Sequence, residues 1–183
     1  KRIGINDNYF VANYFNFGRY LLICASQPGT QPANLQGIWN DKMYPSWDSK
    51  YTVNINCEMN YWPAEVTNMS ELVMPVDGLV KAMSVTGKYT AKHYYGIENG
   101  WCGGHNTDAW AMTNPVGTKK ESPKWSNWNM GGAWLVQTLW DHYDYTRDKE
   151  YLRQTAYPLM KGAADFMLDW IIENPKKPGE LIT

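Results

Sequence analysis

Apolar positions along the chain follow helical spacing in some stretches and lose all regularity in others. Phe10, Tyr14, Phe17, Leu21 and Cys24 recur at intervals of four and three, which predicts a helix over residues 7–26 with that stripe buried. Pro28-Gly29 stops it, and residues 30–51, punctuated by Pro32, Gly37, Pro45 and several aromatics, read as an ordered loop. A second helix starts near Asn56, with Pro63 expected to break or kink it. Ser70-Glu71 opens another helix reaching about Tyr95, and residues 96–126 are again irregular. A strong helix follows over 129–145. Asp148 reads as the N-cap of the last one, whose stripe is Leu152, Ala156, Leu159, Ala163, Phe166 and Trp170. Pro158 should kink that helix or start a second segment. The short connection at 146–148 makes its two flanking helices antiparallel neighbours.

No strand–helix alternation of a doubly wound fold is visible. The expected class is all-α. Helices paired by short turns, with elaborate loops between, suggest part of an (α/α) toroid whose loops form one end. Too few helices are present to close a six-hairpin barrel, so residues 1–183 read as a piece truncated at both ends.

Composition changes this picture in one respect. Ten Trp and thirteen Tyr stand against four Phe. Flat apolar faces with a polar handle suit the C–H faces and hydroxyl rim of a sugar, whereas the plainer account is an aromatic-rich core. A formal net charge of −1 argues against a nucleic-acid binder, and no apolar run suggests a membrane span. The three cysteines, Cys24, Cys57 and Cys102, make no disulfide framework, and no zinc motif occurs; neither a metal nor a cofactor is expected.

Three clusters concentrate polar chemistry. In the first, residues 51–65, an extended run over 53–56 would put Asn54 and Asn56 on the same side, able to hold a water or a sugar hydroxyl. Alternatively Asn56 only caps the following helix. The second is Gly103-Gly104-His105-Asn106-Thr107-Asp108, next to Trp110. The third sets Trp125, Trp128 and Trp134 around a helix start with Gly131-Gly132. Glycoside hydrolysis needs two carboxyl-type functions, but among Asp41, Asp48, Glu58, Glu65, Asp108 and Glu121 no spacing singles out a pair.

The motifs Pro32-Ala33-Asn34-Leu35-Gln36-Gly37-Ile38-Trp39-Asn40, Asn54-Ile55-Asn56 with Glu58-Met59-Asn60-Tyr61-Trp62-Pro63-Ala64-Glu65, His105-Asn106-Thr107-Asp108, Met130-Gly131-Gly132-Ala133-Trp134 and Tyr157-Pro158-Leu159-Met160-Lys161-Gly162-Ala163-Ala164 stand in the order of glycoside hydrolase family 95, which the chain resembles from about Asn13 to its end. The resemblance implies an inverting exo-hydrolase on an (α/α)6 barrel, releasing terminal α-L-fucose or α-L-galactose from oligosaccharides or polysaccharides. It implies that Asn54 and Asn56 position the attacking water. It also implies sugar-cleft roles for His105, Asp108 and Trp134. Thr52 takes the position where family members that exclude a 6-hydroxyl carry His, so L-galactosides are expected to be cleaved at least as well as L-fucosides. The family's general acid Glu and base-side Asp are expected beyond Thr183, which would leave residues 1–183 inactive alone. The substrate class suggests an extracellular or periplasmic setting. The rival readings are another (α/α)-barrel carbohydrate enzyme, such as a phosphorylase, and a non-catalytic sugar-binding module.

Overall fold

A computed structural model describes residues 7–117 and 122–183; Glu121, one of the candidate carboxylates, lies outside the described residues. The architecture is predominantly helical, as the periodicity requires. Helix α1 spans Asn8–Ala25, and Asp7 caps it by accepting a hydrogen bond from the Phe10 N–H at 3.0 Å. The predicted stripe is not buried, however. Phe10, Tyr14 and Phe17 are exposed, and it is Leu22 and Ala25 that enter the core. Only the C-terminal end of α1 packs inward. Ser26, just beyond it, is locked there by the Tyr61 hydroxyl (2.6 Å) and the Leu72 carbonyl (2.8 Å).

Helix α2 (Asn56–Val66) runs through Pro63 without a break. The bond that Pro63 cannot donate would have met the Met59 carbonyl. Both residues lie on the exposed face of α2, where water can serve that carbonyl instead. A 3-10 turn at Ser70–Val73 leads into α3 (Met74–Thr90), which ends in a wide π turn and the left-handed Gly96. The predicted helix over 129–145 is divided at Val136 into α4 (Gly131–Leu135) and α5 (Gln137–Thr146). Asp148 caps α6 (Lys149–Tyr151) by accepting from the Glu150 and Tyr151 N–H groups, as expected. Pro158 sits in the first turn of α7 (Tyr157–Trp170), which presents Leu159, Ala163 and Phe166 inward.

Two short antiparallel pairs appear that periodicity did not predict. One joins β1 (Tyr51–Thr52) to β2 (Asn106–Thr107), and the other joins β3 (Ile172–Glu173) to β4 (Leu181–Ile182).

The core lies between α2, α3, α4, α5 and α7 and is organised around Trp101. Of the ten tryptophans only Trp101 is buried, so the aromatic excess is not a core excess within this segment. The Trp101 indole N–H donates to the Leu159 carbonyl (3.0 Å), and its backbone N–H donates to the Gly162 carbonyl (3.1 Å). Three helices meet it with glycine. A Cβ on Gly132 or on Gly162 would come within 2.7 Å of the indole, and one on Gly87 within 3.2 Å. The helix axes approach the ring as closely as they do because those side chains are missing.

A buried polar chain ties the remaining helices together. Glu65 of α2 accepts from the Ser70 hydroxyl (2.5 Å) and pairs with the His142 ring of α5 (2.7 Å). His142 packs edge-on against Tyr151, whose hydroxyl donates to Asp77 of α3 (2.8 Å). Burial pulls the His142 pKa down, but the Glu65 bond and the nearby carboxylates outweigh it and leave the value raised. All three cysteines are free, and burial pushes the Cys102 thiol up to about 12, so it stays protonated and unreactive.

Candidate active site

The three polar clusters of the sequence are brought together by β1 and β2. Tyr51 lies opposite Thr107 and Thr52 opposite Asn106, and the Val53 N–H extends the ladder by donating to the His105 carbonyl at 2.8 Å. The third cluster closes on the second through a parallel bridge between Gly103 and Met130. There the Gly131 N–H donates to the Gly103 carbonyl at 3.1 Å. A Cβ on Gly131 would collide with the Gly104 carbonyl oxygen and stand 3.0 Å from Val53 Cγ2, so a side chain at that position would force the three segments apart.

Side chains of directly opposed residues share a face of the ladder, and neighbours along a strand alternate. Tyr51, Val53, His105 and Thr107 are buried, whereas Thr52 and Asn106 lie on the other face and are partly open. His105 thus belongs to the inner face. Its ring stands edge-on to Trp125 at 5.2 Å, and burial lowers its pKa against the opposing Ser126 backbone bond, keeping the imidazole neutral at neutral pH.

The extended run ends sooner than the sequence suggests. Residues 53–55 form a turn, and Asn56 is the first residue of α2, so strand alternation does not relate Asn54 to Asn56. The capping role fails as well. Ile55 holds the N-cap position, and no side chain caps the helix. Asn54 and Asn56 are both partly open at this strand-to-helix turn, and neither amide is consumed in holding the turn together.

Asp108 has a structural task. One carboxylate oxygen accepts from the Trp110 N–H (3.0 Å) and the Met112 N–H (3.1 Å), fixing the turn that puts Ala111 in a left-handed conformation. Trp134, partly open on α4, stands edge-on to Trp128 at 6.3 Å.

The other candidate carboxylates separate by environment. Asp41 is exposed, Asp48 pairs with Lys50 at the surface (2.6 Å), and Glu65 is engaged by His142 and Ser70. Glu58 is different: 1% exposed, neither of its carboxyl oxygens meets a hydrogen-bond partner among the described residues, and burial pushes its carboxyl up to about 7. In the second and third clusters, His105 Nδ1, Asn106 Oδ1, Thr107 Oγ1 and Asn129 Nδ2 are also enclosed without a partner among the described residues. Neither Glu58 nor Asn106 stood out by spacing. Only the pairing of β1 with β2 sets Asn106 across from Thr52.

A groove of about 420 Å³ opens elsewhere, between α1 and the loop carrying Ala33, Gln36 and Trp39. None of Thr52, Asn54, Asn56, His105, Asp108 or Trp134 lines it.

The glycosyl hydrolase family 95 catalytic domain matches residues 2–183. The chain is 44% identical to alpha-L-fucosidase 2 of Arabidopsis thaliana over 167 residues, covering 91% of this chain and 19% of that protein. It is 34% identical to the probable alpha-fucosidase A of Aspergillus niger over 178 residues, covering 96% of this chain and 22% of that protein. The chain therefore spans about one fifth of the length of these relatives.

Proposed function

Because the chain belongs to the glycosyl hydrolase family 95 catalytic domain, we propose that it forms one wall of the active site of an inverting exo-glycosidase. That enzyme would release terminal α-L-fucose, α-L-galactose or both from a glycan. In this reading the helices described above are part of an (α/α)6 toroid, and the loops that carry β1, β2 and the start of α4 lie at its catalytic end.

The observation that carries the proposal is the pair of partly open amides at the β1–α2 turn, neither of them used as a cap. An amide is a poor base, but its carbonyl accepts a hydrogen bond from water and fixes where the water's free lone pair points. Asn54 and Asn56 would hold one water below the anomeric carbon while a carboxylate contributed by another part of the protein takes its proton. Inversion follows from that division of labour: the water sits between base and sugar, and a general acid protonates the leaving oxygen on the opposite side. Thr52 would border the sugar's sixth carbon, leaving space for a hydroxyl there.

The test uses the full-length enzyme and aryl α-L-fucosides and α-L-galactosides. Asn54→Ala and Asn56→Ala should each lower kcat by about two to four decades, the scale of acid–base assistance. The first-formed sugar, followed by NMR, should be the β-anomer. Near-normal kcat in both variants, or an α-anomeric first product, defeats the reading.

A further inference from the structure

We infer that Asn106 is a substrate-recognition residue, its Oδ1 accepting a hydrogen bond from a sugar hydroxyl beside Thr52. The inference rests on the glycosidase reading and adds to it a residue that the sequence motifs alone did not single out.

Three observations converge. Asn106 is held directly opposite Thr52 by the ladder, and the Val53 N–H to His105 carbonyl bond extends that register by one residue. Side chains so opposed have Cβ atoms about 5 Å apart and reach for the same object. The alternation of burial assigns Thr52 and Asn106 to the open face, since their neighbours Tyr51, Val53, His105 and Thr107 all point into the fold. Finally, Asn106 Oδ1 is enclosed yet meets no donor among the described residues. The residue itself is partly open, so turning this unengaged amide about its last side-chain bond brings Oδ1 from that enclosed position to the open face, where a donor from outside the fold satisfies it. On a face that carries a threonine hydroxyl and adjoins two open amides, a sugar hydroxyl has the matching chemistry. An O–H donates to Oδ1 while its own oxygen remains free to accept from the Asn106 amide or from Thr52.

The experiment measures kcat, KM and the inhibition constant of free L-fucose and L-galactose for the full-length enzyme and its Asn106→Ala, Asn106→Asp, Thr52→Ala and Thr52→Ala/Asn106→Ala variants. Wild-type turnover of either aryl glycoside is the first requirement. Its absence would overturn the glycosidase reading, not the placement of Asn106. With turnover in hand, Asn106→Ala should raise the inhibition constant of at least one sugar tenfold or more, with a smaller change in kcat. Asn106→Asp, which keeps the acceptor oxygen, should return it to within about threefold of wild type. The double variant should lose less than the product of the single losses, because both side chains serve one hydroxyl. Unchanged inhibition constants in a folded Asn106→Ala variant would mean that water alone satisfies Oδ1, and the inference fails. Should Asn106→Ala not fold, the Asp variant decides alone: a tenfold loss of sugar affinity in it overturns the inference.

Discussion

Replacing Gly162 by alanine sets two opposed effects against each other, and the structure settles the sign. Alanine in a helix interior is favoured over glycine by about 1 kcal/mol. The new Cβ, however, would stand 2.7 Å from Trp101 Cδ1 and 2.9 Å from its Nε1, whereas carbon atoms prefer roughly 3.5–4.0 Å. The ring or the helix must therefore give way by about 1 Å. The ring has nowhere to go. Its N–H is committed to the Leu159 carbonyl on the same helix, and Gly132 approaches so closely that a Cβ there would also lie 2.7 Å from the indole. Overpacking of this kind costs about 1–3 kcal/mol, and weakening the indole hydrogen bond adds about 1 kcal/mol. Net destabilisation of about 1–3 kcal/mol is expected after the propensity gain. Gly78→Ala is the control, since Gly78 is exposed in α3 and nothing lies within 4 Å of its added Cβ. There the propensity term acts alone, and the variant should be up to about 1 kcal/mol more stable. Denaturant unfolding of the full chain, with hydrogen exchange of the α7 amides to localise the change, measures both. A Gly162→Ala variant as stable as wild type with unchanged α7 protection would refute the argument. Equal destabilisation by Gly78→Ala would do the same.

Glu58 binds its proton more tightly in the fold than in the unfolded chain, so the stability it contributes is present below pH ~4 and lost as pH rises through about 7. A rise from 4.5 to about 7 is worth roughly 3 kcal/mol, so Glu58→Gln should gain stability over wild type at pH 8 and lose that advantage near pH 4; an advantage independent of pH would exclude the buried carboxyl as its source. His142, whose pKa is raised, contributes stability that is full below ~6.5 and lost as pH climbs through its folded value. His142→Gln should therefore be more destabilising at pH 5.5 than at pH 9, and a penalty constant across that range would show that the Glu65 pair carries no charge. In the full-length enzyme Thr52→His should shift kcat/KM at least tenfold from α-L-galactosides toward α-L-fucosides, measured as the ratio of the two aryl glycosides; an unchanged ratio removes Thr52 from the sugar's sixth carbon.

Local sequence determined where helices form. The Asp7 and Asp148 caps, the 3.6-residue stripe of α7 and the place of Pro158 in its first turn are all encoded within a few residues of where they act. Ordered motifs likewise sufficed to identify the family. Which face of a helix is buried was another matter. The aromatic stripe of α1 looks like a core face, yet within this segment it is open, because burial depends on what packs against a helix and not on its period. The same limit applied to the site. An extended run over 53–56 would have aligned Asn54 with Asn56, but α2 begins at Asn56 and alternation stops before it. His105 was assigned to the sugar cleft from its motif, and the ladder turns it inward while turning Asn106 outward. Register is a relation between strands about fifty residues apart in sequence, and a shift of one residue would exchange the two faces. Local patterns fix the elements, because caps and propensities act within a turn of helix. The tertiary structure alone decided that Thr52 meets Asn106 and that three glycines meet one tryptophan, since those contacts exist only when distant segments are packed together.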